Sequence, residues 1–428
     1  MNIAMFTNTY IPHVGGVARS VKTLEDACRK HGHQVLVVAA EFDGAEPSRD
    51  VLRVPAIQNF NGSDFSVRLP FATQIRDRIQ AFKPDLIHSH HPFLLGDTAL
   101  RTAWIEQIPV LFTHHTLYEH FTHYVPLDSP ALKRVAIQLA TEYGNLCDLV
   151  IAPSASIAGL LRERGVISPI HTIPTGIDTG FFASGSGSRF RRKWNIPAGS
   201  KIIGHVGRLA HEKNLRLLAQ SVAACLAGDP DTEFLVVGCG GALDEMLSIL
   251  NGAASPSQTH AVGIQTGTDL ADAYAAMDCF VFASQCETQG LVVAEAMAAG
   301  LPVVALDGPG VREILSDGRN GRLLPANATA PQFSKAIRDL LHDPLTSQRC
   351  SLQAQEDASL YSTSRCTAEV MRCYENLIRS YQPRIDPDTR PWDRLLHGIG
   401  IEWELLVEKM AAAAAAVIPT PATRTHLE

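Results

Sequence analysis

The stretch Lys201-Ile-Ile-Gly-His-Val206, followed by Gly207-Arg-Leu-Ala-His-Glu-Lys213, decides the fold class of this chain. A short apolar run that ends at a glycine predicts a buried strand, and the segment Leu215–Leu226 predicts the helix after it. A strand that is apolar on both faces belongs in a parallel sheet with helices on each side. The stretch therefore predicts an α/β fold.

The same alternation of strand and helix recurs in both halves of the chain. The further predicted strands are Ile3–Thr7, His33–Ala39, Asp85–His88, Pro109–Thr113, Asp148–Ala152, Glu233–Val237, Cys279–Phe282 and Pro302–Ala305. Helices are predicted over Val17–Lys30 and around Glu295–Ala299. Repetition of this pattern predicts two Rossmann-like domains that face a central cleft, where loops at the carboxyl ends of the strands bind ligands.

Domain boundaries follow from this repetition. We place an N-terminal domain at residues 1–175, a C-terminal domain at 176–365, a helix that returns to the N-terminal domain at 366–381, and a tail of unknown role at 382–428. The Gly/Ser-rich stretch Gly180–Ser188 predicts a loop or linker. We expect closure of the two domains across Pro174–Asp178, which would exclude water from the cleft.

Composition excludes several classes of protein. The chain has 428 residues, 46% of them hydrophobic, and a net charge of −7. Such a charge gives no basic field for nucleic acid. The nine cysteines include no CxxC pair, which favours reduced thiols in a cytosolic protein. No apolar run reaches the ~18 residues that predict a membrane-spanning helix.

The strongest motif is Ser284-Gln-Cys-Glu287-Thr-Gln-Gly290-Leu-Val-Val-Ala-Glu295-Ala-Met-Ala-Ala-Gly300. It follows a predicted strand, turns at a glycine and opens a helix. The amide groups at a helix N-terminus suit phosphate or sugar oxygens, and a carboxylate can accept hydrogen bonds from the two hydroxyls of a ribose. Taken singly, Glu287 and Glu295 are also compatible with helix surface charges.

A second motif places two cations after the strand that ends at Val206. Arg208 and Lys213 lie on the loop and at the start of the next helix. At a strand–helix junction such cations can bind a diphosphate and stabilise its charge as it departs. Ordinary solvated charge is the alternative. A third motif, Gly15-Gly16 between the first strand and helix, would let the backbone approach a ligand, although a simple tight turn also explains it.

Histidines are concentrated in two segments, at His88, His90 and His91 and again within Thr113–Tyr124. A hydrogen-bonded structural role is the alternative for each. Zinc is disfavoured because no helical HxxxH accompanies them. The Asp-Pro-Asp sequences at Asp229 and Asp386 resemble turns rather than metal sites. We therefore expect no metal and no cofactor, so that Arg208 and Lys213 stabilise the charge of the departing diphosphate in place of a metal ion.

Together these motifs resemble the retaining GT-B glycosyltransferases of family four (group 1), over about residues 1–380. The resemblance implies that Glu287 and Glu295 form the E-x7-E motif, with Glu295 on the donor ribose and Glu287 near the donor sugar. By this resemblance the donor-binding residues are Gly15, Gly16, Arg208, Lys213, Glu287, Thr288, Gln289, Gly290, Leu291 and Glu295. The implied catalytic residues are His115, Glu287, Arg208 and Lys213.

A finer similarity concerns the diacylglycerol glucosyltransferase branch. His115-Thr-Leu-Tyr118 and the following residues, with Glu287-Thr-Gln-Gly-Leu, look like that branch, whereas many other members carry an aromatic residue at the position of Gln289. The resemblance implies UDP-glucose as donor, a membrane lipid as acceptor and a cytoplasmic location at the inner face of the membrane. Tyr118, His123 and Tyr124 are the implied acceptor residues.

Alternatives to a lipid acceptor stay open at this point. The first 180 residues have nearly balanced charge, whereas attraction to an anionic membrane needs local positive charge. A soluble or polysaccharide acceptor is therefore compatible with the sequence. A sugar-nucleotide epimerase and a non-catalytic nucleotide-sugar binding protein share the architecture, but the complete set of motifs disfavours both.

Overall fold

A computed structural model describes residues 1–13, 15–57, 67–68, 72–120, 129–253 and 255–383 of the chain. These residues form two compact units. The first unit contains Met1–Ala152, Ala158–Thr172 and the described residues from Glu369 onward, and the second contains Pro153–Ile157 and Ile173–Ala368. The chain therefore crosses between the units at residues 152–158, at 172–173 and at 368–369.

The first unit is built on a parallel sheet of seven strands. The strands of this unit are β1 (Asn2–Thr7), β2 (Gln34–Ala40), β3 (Val51–Val54), β4 (Ala56–Ile57), β5 (Val67–Arg68), β6 (Leu86–Ser89), β7 (Val110–Thr113), β8 (Leu149–Ala152) and β9 (Ile170–Thr172). The sheet order is β3-β2-β1-β6-β7-β8-β9, and β4 pairs with β5 in a separate antiparallel pair. Ile3 of β1 lies between Val35 and Leu86 in the register.

Helices cover this sheet because its strands are buried on both faces. They are α1 (Gly16–Lys30), α2 (Ala72–Phe82), α3 (Leu95–Glu106), α4 (Pro130–Leu146) and α5 (Ala155–Glu163), whose first residues belong to the second unit. Helix α4 begins where the Ser129 side chain accepts a hydrogen bond from the Leu132 amide, with Pro130 as the first helical residue. Both are favoured at a helix start because the first amides have no partner within the helix.

The second unit repeats the design with a parallel sheet of six strands in the order β12-β11-β10-β13-β14-β15. Its strands are β10 (Lys201–Val206), β11 (Thr232–Val237), β12 (Thr259–Ala261), β13 (Cys279–Phe282), β14 (Val303–Leu306) and β15 (Gly321–Leu324). Its helices are α6 (Thr179–Ala183), α7 (Gly187–Lys193), α8 (Leu215–Leu226), α9 (Leu243–Ala253), α10 (Gly267–Ala276), α11 (Leu291–Ala298), α12 (Val311–Ile314), α13 (Ala330–His342) and α14 (Pro344–Ala358). Helix α15 (Thr363–Ser380) begins in this unit and ends in the first.

The prediction of a loop over Gly180–Ser188 is wrong. Helices α6 and α7 occupy most of this stretch, and each starts at a capping side chain. A Cβ on Gly185 would lie 2.2 Å from the carbonyl oxygen of Ala271 in α10, and one on Gly187 equally close to that of Ala275. These glycines therefore allow close packing of helices, which composition alone cannot distinguish from flexibility.

The strand order places two loops at the same edge in each sheet. In both units the strand order reverses between two central neighbours, β1 and β6 in the first and β10 and β13 in the second. Loops that follow such neighbours diverge to opposite sides and leave a crevice at the carboxyl ends of the strands. The predicted α/β fold with two Rossmann-like domains is confirmed.

Candidate functional site: a charged group and a histidine group

The predicted site residues fall into two groups, one in each unit. In the second unit, the loop after β10 carries Arg208, and the short 3-10 turn His211–Lys213 follows it. The loop between β13 and α11 carries Ser284 and Glu287. These two loops follow neighbouring central strands, so residues that are more than 70 positions apart in the chain come into contact.

An ion pair joins the two loops. The Lys213 ammonium lies 2.6 Å from Oε1 of Glu287, and Ser284 donates a hydrogen bond of 2.7 Å to the same oxygen. Arg208 pairs in turn with Glu212, which the sequence analysis did not single out. We call Arg208, Glu212, Lys213, Ser284 and Glu287 the charged group. It confirms that the two motifs meet, while their roles toward a ligand stay predictions.

Both members of the Lys213–Glu287 pair are held in their charged forms. Burial alone would raise the pKa of the Glu287 carboxyl, but the Lys213 ammonium and the hydrogen bonds from Lys213 and Ser284 outweigh it, so this pKa is lowered. Burial likewise lowers the pKa of Lys213, and Glu287 more than reverses the effect, so that pKa is raised. Each charge thus exists because the other is beside it.

Glu295 lies in a more apolar place than Glu287. It sits within α11, is 3% exposed and accepts a hydrogen bond of 2.8 Å from the Tyr274 hydroxyl of α10. A buried carboxylate needs such a donor because an unpaired one costs several kcal/mol, roughly, in an apolar interior. The sequence analysis missed Tyr274, since nothing in the α10 sequence distinguishes it from a core aromatic residue.

The turn before α11 contains the remaining predicted donor residues. Gly290 precedes the helix at a φ of +81°, which favours glycine, and Leu291 packs against the core of the second unit. The carbonyl of Thr288 accepts a hydrogen bond of 2.7 Å from Ser154. The Gln289 amide is buried and bonds to the main chain of Thr175. The side chain of Gln289 is therefore already engaged within the protein.

His205 is a further residue that sequence reasoning missed. It lies in β10, and its Nδ1 is 3.0 Å from the carbonyl oxygen of Val281, so Nδ1 carries the proton. Burial lowers its pKa to about 4, with Lys213 acting in the same direction. A histidine inside an apolar strand was the available signal, and it places a neutral imidazole beneath the charged group.

The second group is made of five histidines of the first unit, His88, His90, His91, His114 and His115, which we call the histidine group. His88 lies within β6, and the other four follow β6 or β7, which are neighbours in the sheet. Nδ1 of His90 lies 2.9 Å from Nε2 of His115. His88 bonds through Nδ1 to the Tyr374 hydroxyl at 2.6 Å and through Nε2 to Thr113 at 2.7 Å. The predicted catalytic His115 is thus one member of a packed cluster.

Burial keeps the histidine group neutral. It lowers the pKa of His91 and His114 to about 3 and that of His115 to about 4, and it also holds the pKa of His88 and His90 well below the usual range. Neighbouring imidazoles add to the effect for four of them. At neutral pH the group offers hydrogen bonds and no charge.

The other predicted residues of the first unit are placed as follows. Gly16 is the first residue of α1, and Gly15 precedes it at a φ of −167°, an extended conformation that any residue adopts. A Cβ on Gly15 would lie 3.0 Å from Nε2 of His13, whereas one on Gly16 would meet nothing within 4 Å, so a role of either glycine toward a ligand stays a prediction. Tyr118 packs edge-on against Phe93 and His114, and burial raises its pKa. His123 and Tyr124 lie outside the described residues.

Two further findings concern metals and membranes. Within the parts of the chain that the structure describes, no group of three or more His, Cys, Asp or Glu side chains could hold a metal ion. Asp229 instead stabilises a turn by accepting hydrogen bonds from the Asp231 amide and the Thr232 hydroxyl. No helix among the described residues has the length and apolarity that crossing a membrane requires.

Comparison with known proteins assigns each half of the chain to a glycosyltransferase profile. Glycosyltransferase Family 4 matches residues 14–181, and Glycosyl transferases group 1 matches residues 187–357. A GDP-mannose-dependent alpha-mannosyltransferase of Mycobacterium tuberculosis is 31% identical over 88% of this chain and 96% of that protein. An alpha-monoglucosyldiacylglycerol synthase of Streptococcus pneumoniae is 28% identical over 76% of this chain and 75% of that protein.

Solved structures show the same fold. Sucrose-phosphate synthase from Thermosynechococcus elongatus superposes with a TM-score of 0.74 at 21% identity, covering 89% of this chain and 99% of that one. Anabaena HepE in complex with UDP-glucose superposes with a TM-score of 0.70 at 18% identity, covering 88% of this chain and 100% of that one. The two profile matches and the relative at 31% identity show that the chain belongs to family four (group 1) of the GT-B glycosyltransferases and is a nucleotide-sugar-dependent transferase.

Proposed function

We propose that this glycosyltransferase moves a hexose from UDP-glucose to the hydroxyl of diacylglycerol or a related membrane lipid, with retention at the anomeric carbon. The observation that carries the donor part is the charged group, which brings Arg208 and Lys213 to the crevice beside β10 and β13. Similarity to the alpha-monoglucosyldiacylglycerol synthases of Streptococcus pneumoniae and Acholeplasma laidlawii supports the donor sugar and the lipid acceptor.

In the proposed reaction, the bond between the anomeric carbon and the phosphate oxygen breaks, and its electron pair goes to the departing diphosphate. Arg208 and Lys213 stabilise that charge. The acceptor hydroxyl attacks from the same face, forms the new glycosidic bond and passes its proton to the leaving phosphate. Glu295 holds the ribose, and His115 lies beside the transferred sugar as a neutral hydrogen-bonding group.

The two acidic residues need different roles in this scheme. Glu287 is already neutralised by Lys213, so it orients that cation and contacts sugar hydroxyls more readily than it forms a bond to carbon. A role for Glu287 as nucleophile is the weaker candidate, because its lone pairs are shared by Lys213 and Ser284. The proposed enzyme needs no metal cofactor, and it meets its acceptor as a peripheral protein at the cytoplasmic face of a membrane.

A second donor candidate is GDP-mannose. The mannosyltransferase of Mycobacterium tuberculosis is matched over more of its length and at higher identity than the synthase of Streptococcus pneumoniae. This observation favours transfer of mannose, and a soluble or polysaccharide acceptor remains compatible with it. UDP-glucose and GDP-mannose differ in their base and sugar but share a diphosphate. Arg208 and Lys213 would bind that diphosphate, so they do not distinguish the two donors.

One panel of assays tests the proposal. The protein is incubated with UDP-glucose or GDP-mannose, with diacylglycerol in mixed micelles or with simple sugars, and the products are identified by mass spectrometry and by the proton coupling of the anomeric position. We expect an α-glucosyl lipid from UDP-glucose and no product without acceptor. Donor conversion without acceptor would indicate an epimerase, and binding without conversion would indicate a non-catalytic protein.

A further inference from the structure

The turn that leads into α11 is tied to two places where the chain crosses between the units. Ser154 donates a hydrogen bond of 2.7 Å to the carbonyl oxygen of Thr288. The next residue, Gln289, accepts one of 2.7 Å from the Thr175 amide and donates one of 2.9 Å to the Thr175 carbonyl. Ser154 belongs to the crossing at residues 152–158, and Thr175 lies directly after the crossing at 172–173.

The pairing between Gln289 and Thr175 resembles that of two adjacent strands. One primary amide supplies a donor and an acceptor to both polar groups of one peptide residue, which fixes its orientation as well as its position. The Gln289 side chain is 4% exposed. An unpaired amide would be costly at that depth, so both hydrogen bonds are needed once the side chain is buried.

The backbone of Gln289 also lies in close contact with Gly310. A Cβ built on Gly310, which precedes α12 at a φ of +76°, would lie 2.7 Å from the Cα and the amide nitrogen of Gln289. Only a residue without a side chain permits this approach. The turn thus contacts Gly310 through its backbone and Thr175 through the Gln289 side chain, which leaves it little freedom to shift alone.

The crossing segments are themselves anchored in the second unit. The Glu313 carboxylate of α12 accepts hydrogen bonds of 2.5 and 2.6 Å from the amides of Ala155 and Ser156. The Ile177 amide donates to the carbonyl of Tyr361, and the amide of Thr363 donates to the carbonyl of Ile177. The turn at residues 288–289 therefore belongs to a continuous hydrogen-bonded structure that includes these segments.

We propose that Gln289 is a positioning residue, which sets the backbone of the Thr288–Gly290 turn against Thr175 and does not itself contact the transferred sugar. The position of the turn then depends on the path of the chain at the crossing. That Gln289 does not contact the transferred sugar rests on the proposed function. It differs from the expectation of a direct donor contact, because the side-chain amide is committed to the main chain of Thr175.

The proposal predicts two linked effects of removing the amide. In a Gln289→Met variant the side chain keeps its length, but the Thr175 amide loses its acceptor. We expect hydrogen exchange at Thr175–Ile177 to become about tenfold faster or more without any nucleotide present. We also expect affinity for UDP and for UDP-glucose (or GDP and GDP-mannose) to fall by similar factors, because the misplaced element is the backbone turn.

A matched control is available in the same loop. Gln285 also donates its side-chain amide to a carbonyl, that of Ala326 at 2.6 Å, but not at a crossing segment. Gln285→Met should leave exchange at Thr175–Ile177 unchanged. Ser154→Ala removes the other tie and should weaken nucleotide binding in the same uniform way, which keeps the test decisive if Gln289→Met does not fold.

Three outcomes would overturn the proposal. The first is unchanged exchange at Thr175–Ile177 in folded Gln289→Met. The second is loss of affinity for the nucleotide sugar without any loss for the diphosphate, which would indicate direct contact with the sugar. The third, if Gln289→Met does not fold, is unchanged nucleotide affinity in Ser154→Ala. Because exchange is measured without substrate, absence of transferase activity in the unsubstituted protein would contradict the proposed function and leave this test intact.

Discussion

The charged group and the histidine group lie at the carboxyl ends of central strands in two similarly ordered sheets, β10 and β13 in one and β6 and β7 in the other, yet their electrostatic states are opposite. In the second unit, Lys213 and Glu287 remain charged because each stabilises the other. In the first unit, five clustered histidines remain neutral because burial outweighs every other influence on their pKa values. Two similarly ordered sheets thus carry a charged group in one unit and an uncharged group in the other.

The charge states of the two groups bear on which ligands each could bind. Cations that are already in place suit an anionic ligand, since no charge has to be created when it binds. Arg208 and Lys213 are now paired with Glu212 and Glu287, so a diphosphate must compete with these carboxylates for them. Neutral imidazoles suit hydroxyl groups, with which they exchange hydrogen bonds without a desolvated charge. The roles proposed for Arg208 and Lys213 with a diphosphate and for His115 with a sugar are consistent with this contrast.

The largest effect is expected where the charged group loses a cation. In Lys213→Met, Glu287 keeps only the hydrogen bond from Ser284. We expect a loss of about 2 kcal/mol in the free energy of unfolding, less than for a fully buried pair because both side chains are partly exposed. We also expect about a hundredfold loss in kcat/KM, since one stabilising group for the leaving diphosphate is gone.

A control for this variant is Lys193→Met. Lys193 pairs with Asp269 at 2.9 Å, but both side chains are about half exposed, at 48% and 49%. Such a surface pair contributes under ~1 kcal/mol. Urea unfolding and transferase assays on both variants make the comparison, and equal losses in stability and activity would refute the special status of the Lys213–Glu287 pair.

The next effect is acid sensitivity that differs between the units. The pKa of His91 and His114 is about 3 and that of His115 about 4, below the ~6.5 of an unfolded chain. As the pH falls below ~6.5, these histidines take up protons in the unfolded chain but stay neutral in the folded one. The histidine contribution to stability is therefore complete above about pH 6.5 and falls with decreasing pH, by up to ~1.4 kcal/mol per pH unit for each histidine.

Hydrogen exchange resolved by peptide between pH 7 and pH 5 measures this effect. We expect β6 and β7, beside which the histidine group lies, to lose protection before β10 and β13. Among the described residues of the second unit, His205 in β10 is the one buried histidine whose pKa is lowered. His114→Leu should reduce the dependence of protection on pH in the first unit by the contribution of one histidine. Parallel loss of protection in both sheets would contradict the contrast.

A smaller effect is expected from removing the hydroxyl that supports Glu295. In Tyr274→Phe the carboxylate loses a donor at 2.8 Å in a buried site. Hydrogen bonds to charged groups contribute about 1.5–3 kcal/mol, so we expect a loss near 2 kcal/mol in the free energy of unfolding. Calorimetry should also show weaker binding of the nucleoside diphosphate, and unchanged binding would argue against Glu295 as the ribose ligand.

The smallest effect is expected from the equivalent change in the histidine group. Tyr374→Phe removes the hydroxyl that lies 2.6 Å from Nδ1 of His88, where the partner is a neutral imidazole. Neutral hydrogen bonds contribute about 1 kcal/mol, so the loss should be about half of that in Tyr274→Phe. The two variants measured side by side by urea unfolding test whether the charge difference has energetic consequences, and a reversed order would refute it.

The sequence alone determined the fold class and most of the secondary structure. Lys201–Val206, Cys279–Phe282 and Leu215–Leu226 have the predicted bounds, because apolar period and flanking glycines are local properties. The motifs at Arg208–Lys213 and Glu287–Glu295 were also evident, since chemistry at fixed spacing can be recognised without coordinates. Composition failed at Gly180–Ser188, where glycine serves the packing of α6 and α7 against α10.

Which side chains share an environment follows from the tertiary structure and not from local sequence. The pairing of Glu287 with Lys213, the support of Glu295 by Tyr274 and the attachment of Gln289 to Thr175 join residues that are 21 to 114 positions apart. Such contacts depend on strand order and on burial, neither of which is encoded in local pattern. The same is true of charge state, because a histidine is neutral and a lysine charged here only through what surrounds them.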